Sequence, residues 1–243
     1  MLFDSVNPAA WDPRPHQAHA MTRTIDPRCG YCVRSTMALP EPDEELLDIA
    51  LAAFSEARRT DLSLLLDRCT NDDQRSWVLQ WPGEHYRLLT ALVKILSPTL
   101  VVEVGTFTGM GALAILQGSP STRVVTYDII DWRSIPGSLM REEDFADGRL
   151  EQRLGDLSQD GFFSSEQDTL ADAEFLFVDG PKDGRFESVF FSKVIPVLVG
   201  KRHVLMADDI HFINMVSLWM SLPVTKLDVT SFGHWSGTGL MMV

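Results

Sequence analysis

The chain has 243 residues, of which 45% are hydrophobic, so it can bury the core of one domain with some additional segments. Its formal net charge of −13 argues against a nucleic-acid partner, because nucleic-acid affinity depends mainly on lysine and arginine contacts to phosphates. The three cysteines are typical of free thiols in a reducing compartment. With no signal-peptide pattern and no apolar run of the ~18 residues that a membrane span needs, we expect a cytoplasmic protein without a membrane partner.

The first forty residues predict an irregular arm, because they are rich in polar side chains and contain five prolines between Pro8 and Pro40. The arm also contains four residue types that bind zinc: His16, His19, Cys29 and Cys32. They raise the hypothesis of a zinc clip, although one C-x-x-C with loosely spaced histidines is the weak form of that motif. We favour packing of the arm across a partner subunit or over the mouth of an active site, and therefore expect a homo-oligomer such as a dimer.

A set of helices is predicted after the arm. The first begins at residues 42–45, a second covers 61–68 and a third follows 71–72. The segment 80–84 breaks the pattern, and a further helix over 85–96 leads into the first strand. We therefore divide the chain into an irregular arm and helical N-terminal addition at 1–82 and a second domain at 83–243.

From residue 99 onward, segments typical of strands alternate with helical segments. Seven strands are predicted, at 100–104, 123–127, 150–154, 174–178, 203–207, 224–229 and 240–243. Helices such as 186–198 and 210–220 lie between most of them. Parallel strands joined by right-handed helical crossovers form a doubly wound sheet, and the short link before the last strand predicts a final antiparallel hairpin. The fold class is therefore α/β, with a mostly parallel, Rossmann-like seven-stranded sheet.

The stretch LVVEVGTFTGMG at 100–111 predicts a strand, a tight turn and the start of a helix. Ligands of open α/β sheets bind at such turns, beyond the carboxyl ends of the strands. The glycines follow the pattern Gly105-x-x-x-Gly109-x-Gly111. Phe107 stands where a dinucleotide fingerprint has its second glycine, which disfavours an NAD-type dehydrogenase.

Acidic residues follow the first three strands. Asp128 comes at the end of the second strand, where a carboxylate can accept hydrogen bonds from both ribose hydroxyls of a nucleoside cofactor. Alternatively, Asp128 caps the following turn, and Asp131 competes for the ribose role. Asp156, followed by Leu157, comes after the third strand and could accept a hydrogen bond from an adenine amino group. Together with Glu103, these acids predict one cleft at one edge of the sheet.

Three further acids follow the fourth and fifth strands: Asp179, Asp208 and Asp209. Carboxylates alone form a hard, oxygen-only site that suits Mg²⁺, and without a cation they would repel one another. Alternatively, only one is a ligand and the others cap helices. Lys182 lies three residues after Asp179, in the pattern D-x-x-K.

These motifs resemble a known family. The pattern E-x-G-x-x-x-G resembles the first motif of class I S-adenosylmethionine (SAM)-dependent methyltransferases. From about Glu84 to the C-terminus, the chain is similar to the catechol-type, metal-dependent O-methyltransferases and their bacterial antibiotic-tailoring relatives. The resemblance implies two cofactors, SAM and Mg²⁺, with Lys182 removing the proton from the hydroxyl that is methylated. The implied SAM-binding residues are Glu103, Gly105, Thr106, Phe107, Gly109, Gly111, Asp128, Asp156, Leu157 and Asp179, and the implied metal ligands are Asp179, Asp208 and Asp209.

The chain departs from this family in two places within the resemblance. It has Asp208-Asp209 where the catechol enzymes commonly have Asp-Asn, and Gly180-Pro181 where bulkier residues are often found. The second departure puts adenine stacking in doubt at that position. The segment before residue 83 matches no part of the family.

The resulting hypothesis is a SAM- and Mg²⁺-dependent O-methyltransferase. Its acceptor would be a small hydroxylated molecule, such as a catechol-like or vicinal-diol compound of secondary metabolism, for example in antibiotic biosynthesis. Two alternatives stay open: a metal-independent methyltransferase with a structural acid cluster, and a SAM-binding protein that transfers no methyl group.

Overall fold

The computed structural model describes residues 42–79, 85–212 and 214–243. The zinc hypothesis for His16, His19, Cys29 and Cys32, and the predicted arm, lie outside these residues. None of the helices in the described part of the chain has the length and apolar character needed to cross a membrane.

The centre of the protein is a seven-stranded sheet with strand order β3-β2-β1-β4-β5-β7-β6. Strands β1 to β5 are parallel to one another, whereas β7 runs antiparallel to both β5 and β6. The predicted sheet and its closing antiparallel hairpin are therefore confirmed. The strands are β1 (Leu100–Val104), β2 (Arg123–Asp128), β3 (Leu150–Leu154), β4 (Phe175–Val178), β5 (Val204–Asp208), β6 (Thr225–Asp228) and β7 (Thr238–Met242).

Eight α-helices are found in the described residues. They are α1 (Glu44–Ala57), α2 (Ser63–Leu66), α3 (Asp72–Leu79), α4 (Tyr86–Leu96), α5 (Met110–Gly118), α6 (Asp160–Asp172), α7 (Arg185–Leu198) and α8 (Met215–Ser221). Short 3-10 helices cover Trp132–Ser134, Glu142–Phe145 and Thr230–Phe232.

The last helix begins later than the sequence predicts, at Met215 instead of Ile210. The segment before it is held by the loop between β6 and β7, because the amides of Ile210 and His211 donate to the carbonyls of Gly237 and Ser236. Asp209, just before them, has a left-handed backbone with φ of 58°. These contacts keep the residues after β5 out of helical geometry and close to the end of the sheet.

Each face of the sheet has its own hydrophobic core, because successive strand residues point to opposite sides. On one face, Val101 and Phe177 pack with buried residues of α1, α4 and α5. On the other face, Val102 and Leu176 pack with α6 and α7. The first helix, α1, thus shares a core with the sheet, while the boundary at residue 82 stays a prediction.

Candidate active site

The loop after β1 lies against the loop after β4. The amide of Gly105 donates to the carbonyl of Tyr127 at 2.8 Å, and its φ is +102°. A Cβ atom at this position would lie only 2.0 Å from the carbonyl oxygen of Asp179. Glycine is therefore required here both by backbone conformation and by the close approach of the two loops.

Asp128, at the end of β2, holds the same loop in place. One of its carboxylate oxygens accepts hydrogen bonds from the amides of Thr106 and Phe107, both at 3.0 Å. The other oxygen accepts from the amide of Ile130 at 3.1 Å. The carboxylate is half-buried and faces a cavity, so it combines the capping role with the position expected of a cofactor ligand.

A cavity of about 750 Å³ lies at the carboxyl ends of the parallel strands. This is within the usual range of small-molecule sites and is located where open α/β sheets bind their ligands. Lys182 and six of the predicted cofactor residues line it: Gly105, Phe107, Asp128, Asp156, Leu157 and Asp179.

Asp156 is organised in the same way as Asp128. One of its oxygens accepts from the amide of Ser158 at 2.8 Å, and the other from the side-chain amide of Gln159 at 3.1 Å. Burial opposes the charged form, but these hydrogen bonds outweigh it and hold the pKa of Asp156 below its usual value. The carboxylate at this end of the cavity is therefore ionised and fixed in direction.

Four of the predicted cofactor residues do not line the cavity: Glu103, Thr106, Gly109 and Gly111. Glu103 is only 1% exposed, and its carboxylate accepts a hydrogen bond of 2.6 Å from the Thr126 hydroxyl. A Cβ atom at Gly111 would lie 2.1 Å from the same carboxylate. These residues shape the loop from beneath, and their contact with a cofactor stays a prediction.

Burial raises the pKa of Glu103 well above its ordinary value. The hydrogen bond from Thr126 acts in the opposite direction but does not compensate. The protonated form of this carboxyl group is therefore favoured under the cavity floor.

The three acids after β4 and β5 converge, as the sequence predicts. Asp179, Asp208 and Asp209 each offer a carboxylate oxygen, and these oxygens lie within 4.8 Å of one another. Because parallel strands end at the same edge of the sheet, β4 and β5 place the acids side by side. Metal binding by them stays a prediction.

Lys182 bridges two of these acids. Its ammonium nitrogen lies 2.9 Å from Asp179 Oδ1 and 2.6 Å from Asp209 Oδ2. Both Lys182 and Asp209 have positive φ values, 63° and 58°, in the left-handed region that non-glycine residues rarely adopt. Such strained backbone is typical of functional sites.

The charge state of Lys182 differs from what a general base needs. Burial disfavours its ammonium form, but Asp179 and Asp209 outweigh this and raise the pKa of Lys182 above its ordinary value. With these two carboxylates as its partners, Lys182 keeps its proton. The lowered pKa that the base hypothesis requires is not found in this arrangement.

Two histidines and a serine complete the cluster, and sequence reasoning did not select them. His85 Nδ1 lies 3.4 Å from Asp208 Oδ1, and His234 Nδ1 lies 3.4 Å from Asp208 Oδ2. His234 Nδ1 is also 3.2 Å from Asp209 Oδ1 and 2.6 Å from the Ser236 hydroxyl, which itself contacts Asp209. We call His85, Asp208, Asp209, His234 and Ser236, with Asp179 and Lys182, the acid–imidazole cluster.

His85 shows why no local signal could have identified it. It stands at the N-cap of α4, a position where a polar side chain usually accepts a hydrogen bond from the helix, but its side chain makes no such bond. The ring is 3% exposed and lies instead against Phe177 and Asp208. Its role depends on how α4 packs on the sheet, which the sequence pattern does not contain.

Two carboxylate oxygens of the cluster are buried without a hydrogen bond among the described residues, Asp179 Oδ1 and Asp208 Oδ1. Each lies near a basic group: Asp179 Oδ1 is 2.9 Å from the Lys182 ammonium nitrogen, and Asp208 Oδ1 is 3.4 Å from His85 Nδ1. Unsatisfied buried carboxylate oxygens are costly unless a cation compensates them. The oxygen donors of Asp179, Asp208 and Asp209 therefore fit a divalent cation such as Mg²⁺.

Comparison with known proteins supports the fold. No protein-family model and no curated protein sequence matches the chain. A provisionally assigned caffeoyl-CoA O-methyltransferase from Staphylococcus aureus superposes with a TM-score of 0.52 at 12% identity, over 81% of this chain and 99% of that one. A methyltransferase from Geobacter sulfurreducens gives 0.47 at 21% identity, covering 90% and 98% of the two chains. The Bacillus cereus O-methyltransferase in complex with SAH gives 0.45 at 18% identity, covering 83% and 90%.

At these levels of identity the similarity concerns the fold alone. The Staphylococcus aureus structure supports the fold assignment, because its superposition spans most of both chains. The strand order, with the antiparallel β7 inserted between β5 and β6, agrees with the predicted closing hairpin. The predicted fold, a Rossmann-like methyltransferase sheet, is thus confirmed.

Proposed function

We propose that this protein is a SAM-dependent O-methyltransferase that acts on a small hydroxylated molecule. One observation carries the proposal: a cavity of about 750 Å³ at the carboxyl ends of the strands, lined by Gly105, Asp128, Asp156 and the acid Asp179. The cavity thus combines the glycine loop with Asp128, placed to bind a ribose, and Asp156, placed to bind an adenine. Asp179 lies at the side of the cavity where an acceptor hydroxyl could be activated.

The cofactor would be held by side chains that are already fixed. Asp128 would accept hydrogen bonds from the ribose hydroxyls, while Asp156 would accept one from the adenine amino group. Both carboxylates are oriented by backbone amides, so little side-chain freedom would be lost on binding.

Asp179, Asp208 and Asp209 would hold Mg²⁺. When bound there, the ion would lower the pKa of a coordinated acceptor hydroxyl and fix its direction. Asp208 Oδ1, which is buried and makes no hydrogen bond within the described residues, supports this assignment.

Methyl transfer from a sulfonium is an in-line displacement, so the protein has mainly to align the acceptor and to remove its proton. Alignment alone can contribute ~7–11 kcal/mol to lowering the barrier. Lys182, which lines the cavity, is our candidate for the group that receives the proton. Because it holds its own proton beside Asp179 and Asp209, the base role requires activity to rise with pH as Lys182 deprotonates.

One observation favours a second candidate, a metal-independent methyltransferase. Lys182 already compensates Asp179 and Asp209, at 2.9 and 2.6 Å, so the acids have a counter-charge from the chain itself. In that case the cluster would be structural, and catalysis would depend on alignment of the acceptor.

Cofactor binding is tested first, by calorimetric titration of the full chain with SAM and with its demethylated product. We expect Asp128→Asn to weaken binding about tenfold or more, since one charged hydrogen-bond acceptor is lost. Asp131→Asn is the matched control, because this neighbouring acid does not line the cavity and its carboxylate contacts the amide and guanidinium of Arg133. Failure of the wild type to bind either compound would remove the proposal.

Turnover is tested next, with SAM and a panel of catechols and hydroxylated aglycones analysed by mass spectrometry. Activity that survives chelation by EDTA and dialysis would favour the metal-independent candidate. Lys182→Ala should abolish turnover and leave the affinity for SAM nearly intact. A protein that binds SAM but methylates nothing in the panel would instead fit a SAM-binding role without transfer.

The proposal also covers the location, oligomeric state, partners and acceptor class of the protein. We place the protein in the cytoplasm, as a homo-oligomer such as a dimer, without a nucleic-acid or membrane partner. The acidic composition and the small size of the cavity support a small-molecule acceptor, of the catechol-like or vicinal-diol type, in secondary metabolism such as antibiotic biosynthesis.

A further inference from the structure

The geometry points to a second cation position beside the proposed Mg²⁺ site, in which His85, Asp208 and His234 bind a divalent transition-metal ion. The ligand atoms of these three residues lie within 4.8 Å of one another. Asp208 is common to both positions, and the second differs from the first in offering two imidazole nitrogens.

The distances between donors match those around a small metal ion. Zn²⁺ binds imidazole nitrogen and carboxylate oxygen at about 2.0–2.1 Å, so neighbouring donors of a tetrahedral ion lie about 3.4 Å apart. The structure has 3.4 Å between His85 Nδ1 and Asp208 Oδ1, and 3.4 Å between His234 Nδ1 and Asp208 Oδ2, so an ion between the two rings would be chelated by both oxygens of Asp208. A direct charged hydrogen bond would bring nitrogen and oxygen to about 2.7–2.9 Å, which neither pair reaches.

A second observation concerns the buried ring of His85. His85 is 3% exposed, and neither of its ring nitrogens makes a hydrogen bond among the described residues. Its Nδ1 faces Asp208 Oδ1, which is also buried without a hydrogen bond. Two buried polar groups that face each other without bonding are expected where a third atom binds between them.

Ser236 makes the arrangement compatible with a bound ion. In the present structure its hydroxyl contacts both His234 Nδ1 and Asp209 Oδ1. When Nδ1 of His234 binds a cation, the hydroxyl can still donate to Asp209. The Ser236 hydroxyl therefore keeps an acceptor when the ion is bound.

The choice of metal follows from the ligands. Two imidazoles and one carboxylate suit Zn²⁺, Fe²⁺ or Co²⁺, whereas Mg²⁺ prefers oxygen donors and waters. The probe is Co²⁺, whose visible absorption reports nitrogen ligands and low coordination number. The full chain is stripped with EDTA, freed of the chelator, and titrated with Co²⁺ and separately with Mg²⁺, with no methyl donor present.

We expect the wild type to bind one Co²⁺ with the absorption of a four- or five-coordinate ion. His85→Gln should weaken Co²⁺ binding about tenfold or more and should change Mg²⁺ binding less than about twofold. His211→Gln is the control, because His211 also pairs with an acid, Asp228 at 2.7 Å, but is exposed at the surface. It should bind Co²⁺ as the wild type does.

Unchanged Co²⁺ affinity in His85→Gln would overturn the proposal and leave His85 as an ion-pair partner of Asp208. If that variant fails to fold, X-ray absorption of the one-to-one Zn²⁺ complex of the wild type decides, since two bound imidazoles give characteristic outer-shell scattering. Absence of imidazole scattering would equally overturn the proposal. Because no step of the experiment uses SAM, its outcome is separate from that of the methyltransferase assignment.

Discussion

The two halves of the site are held together in different ways. In the cofactor half, Asp128 accepts hydrogen bonds from backbone amides of the loop after β1, and Asp156 accepts one from a backbone amide of the loop after β3. In the acid–imidazole cluster, Asp208 and Asp209 contact side chains that come from other elements, among them His85 and His234. A site whose side chains are held by backbone amides is rigid once the fold forms. The geometry of a site held by ionisable side chains depends instead on which groups compensate its charges.

The two halves also differ in how completely their carboxylate oxygens are hydrogen-bonded. The carboxylates in the cofactor half have hydrogen bonds on both oxygens. In the cluster, Asp179 Oδ1 and Asp208 Oδ1 have none among the described residues. Substitutions in the first half should therefore act through backbone geometry, and substitutions in the second through charge.

The largest effect is expected from Gly105→Ala, which acts on the backbone. The new methyl group would lie 2.0 Å from the carbonyl oxygen of Asp179, so the loops after β1 and β4 would have to separate. We expect a loss of about 4 kcal/mol or more in the free energy of unfolding, measured by urea denaturation. Binding of SAM by any folded fraction should be lost as well.

Gly200→Ala is the matched control for this substitution. Its φ of +96° is close to that of Gly105, but a Cβ atom there would have no neighbour within 4 Å in the described part of the chain. Only the backbone strain remains, which we expect to cost about 1–2 kcal/mol. Equal losses in the two variants would contradict the claim that close approach of the loops fixes the cofactor half.

The same contrast explains what the sequence could and could not predict. The strands and the acids at their ends were predictable, because apolar runs followed by Asp or Gly mark strand ends locally. Asp179, Asp208 and Asp209 converge because parallel strands end at one edge. His85 was not predictable, since it meets Asp208 only through packing of α4 on the sheet.

Two further features could not be predicted from the sequence pattern. The start of α8 was predicted five residues too early, at Ile210, because the amides after Asp209 bond to the loop before β7. The direction of the pKa shift of Lys182 depends on two carboxylates from different strand ends. Both depend on contacts between segments that are distant in sequence, which hydrophobic periodicity does not report.

The second prediction concerns charge in the cluster. Lys182→Met removes the ammonium group that bridges Asp179 and Asp209, while the hydrophobic stem is kept. In the presence of EDTA we expect a loss of about 2 kcal/mol in the free energy of unfolding, less than for a fully buried pair because the side chain is 32% exposed. A divalent cation should restore part of this loss by compensating the same acids.

An exposed ion pair provides the comparison for Lys182. Lys201 lies 3.2 Å from Asp172, and both side chains are mostly exposed. Lys201→Met should change the unfolding curve very little and should show no response to the cation. If Lys182→Met behaved in the same way, the acids of the cluster would not depend on a counter-charge.

The third prediction is a pH dependence beneath the cofactor loop. The pKa of Glu103 in the folded protein is raised by burial above its ordinary value of 4.5. Between the two pKa values the folded state binds a proton that the unfolded state has lost, so wild-type stability falls as pH rises above 4.5. Glu103→Gln cannot ionise, and its stability relative to the wild type should increase by up to ~1.4 kcal/mol per pH unit.

Urea denaturation from about pH 5 to about pH 8 measures this slope. Glu142→Gln is the control, because Arg133 lowers the pKa of Glu142, so that its contribution is lost only at more acidic pH. Its difference from the wild type should therefore stay constant over this range. If the difference in unfolding free energy between Glu103→Gln and the wild type were also independent of pH, Glu103 would have the same pKa in the folded and unfolded chains.

The smallest effect on stability is expected at Phe107, where strain and binding can be separated. Phe107 has a φ of 41°, lines the cavity and is 60% exposed. Phe107→Gly relieves the left-handed backbone but gives the unfolded chain more freedom, so the free energy of unfolding should change by less than about 1 kcal/mol. A larger loss would mean that the ring contributes to the fold.

Affinity for SAM distinguishes what the ring of Phe107 does from what its backbone does. Phe107→Asn also lacks the ring, but asparagine tolerates the left-handed conformation and keeps the loop less flexible than glycine does. If the ring contacts the cofactor, both variants should weaken SAM binding by a similar factor. If the loop conformation alone matters, only the glycine variant should bind more weakly. Phe107 would then serve the cofactor half through its backbone amide on Asp128 rather than through its side chain, as its neighbour Thr106 does.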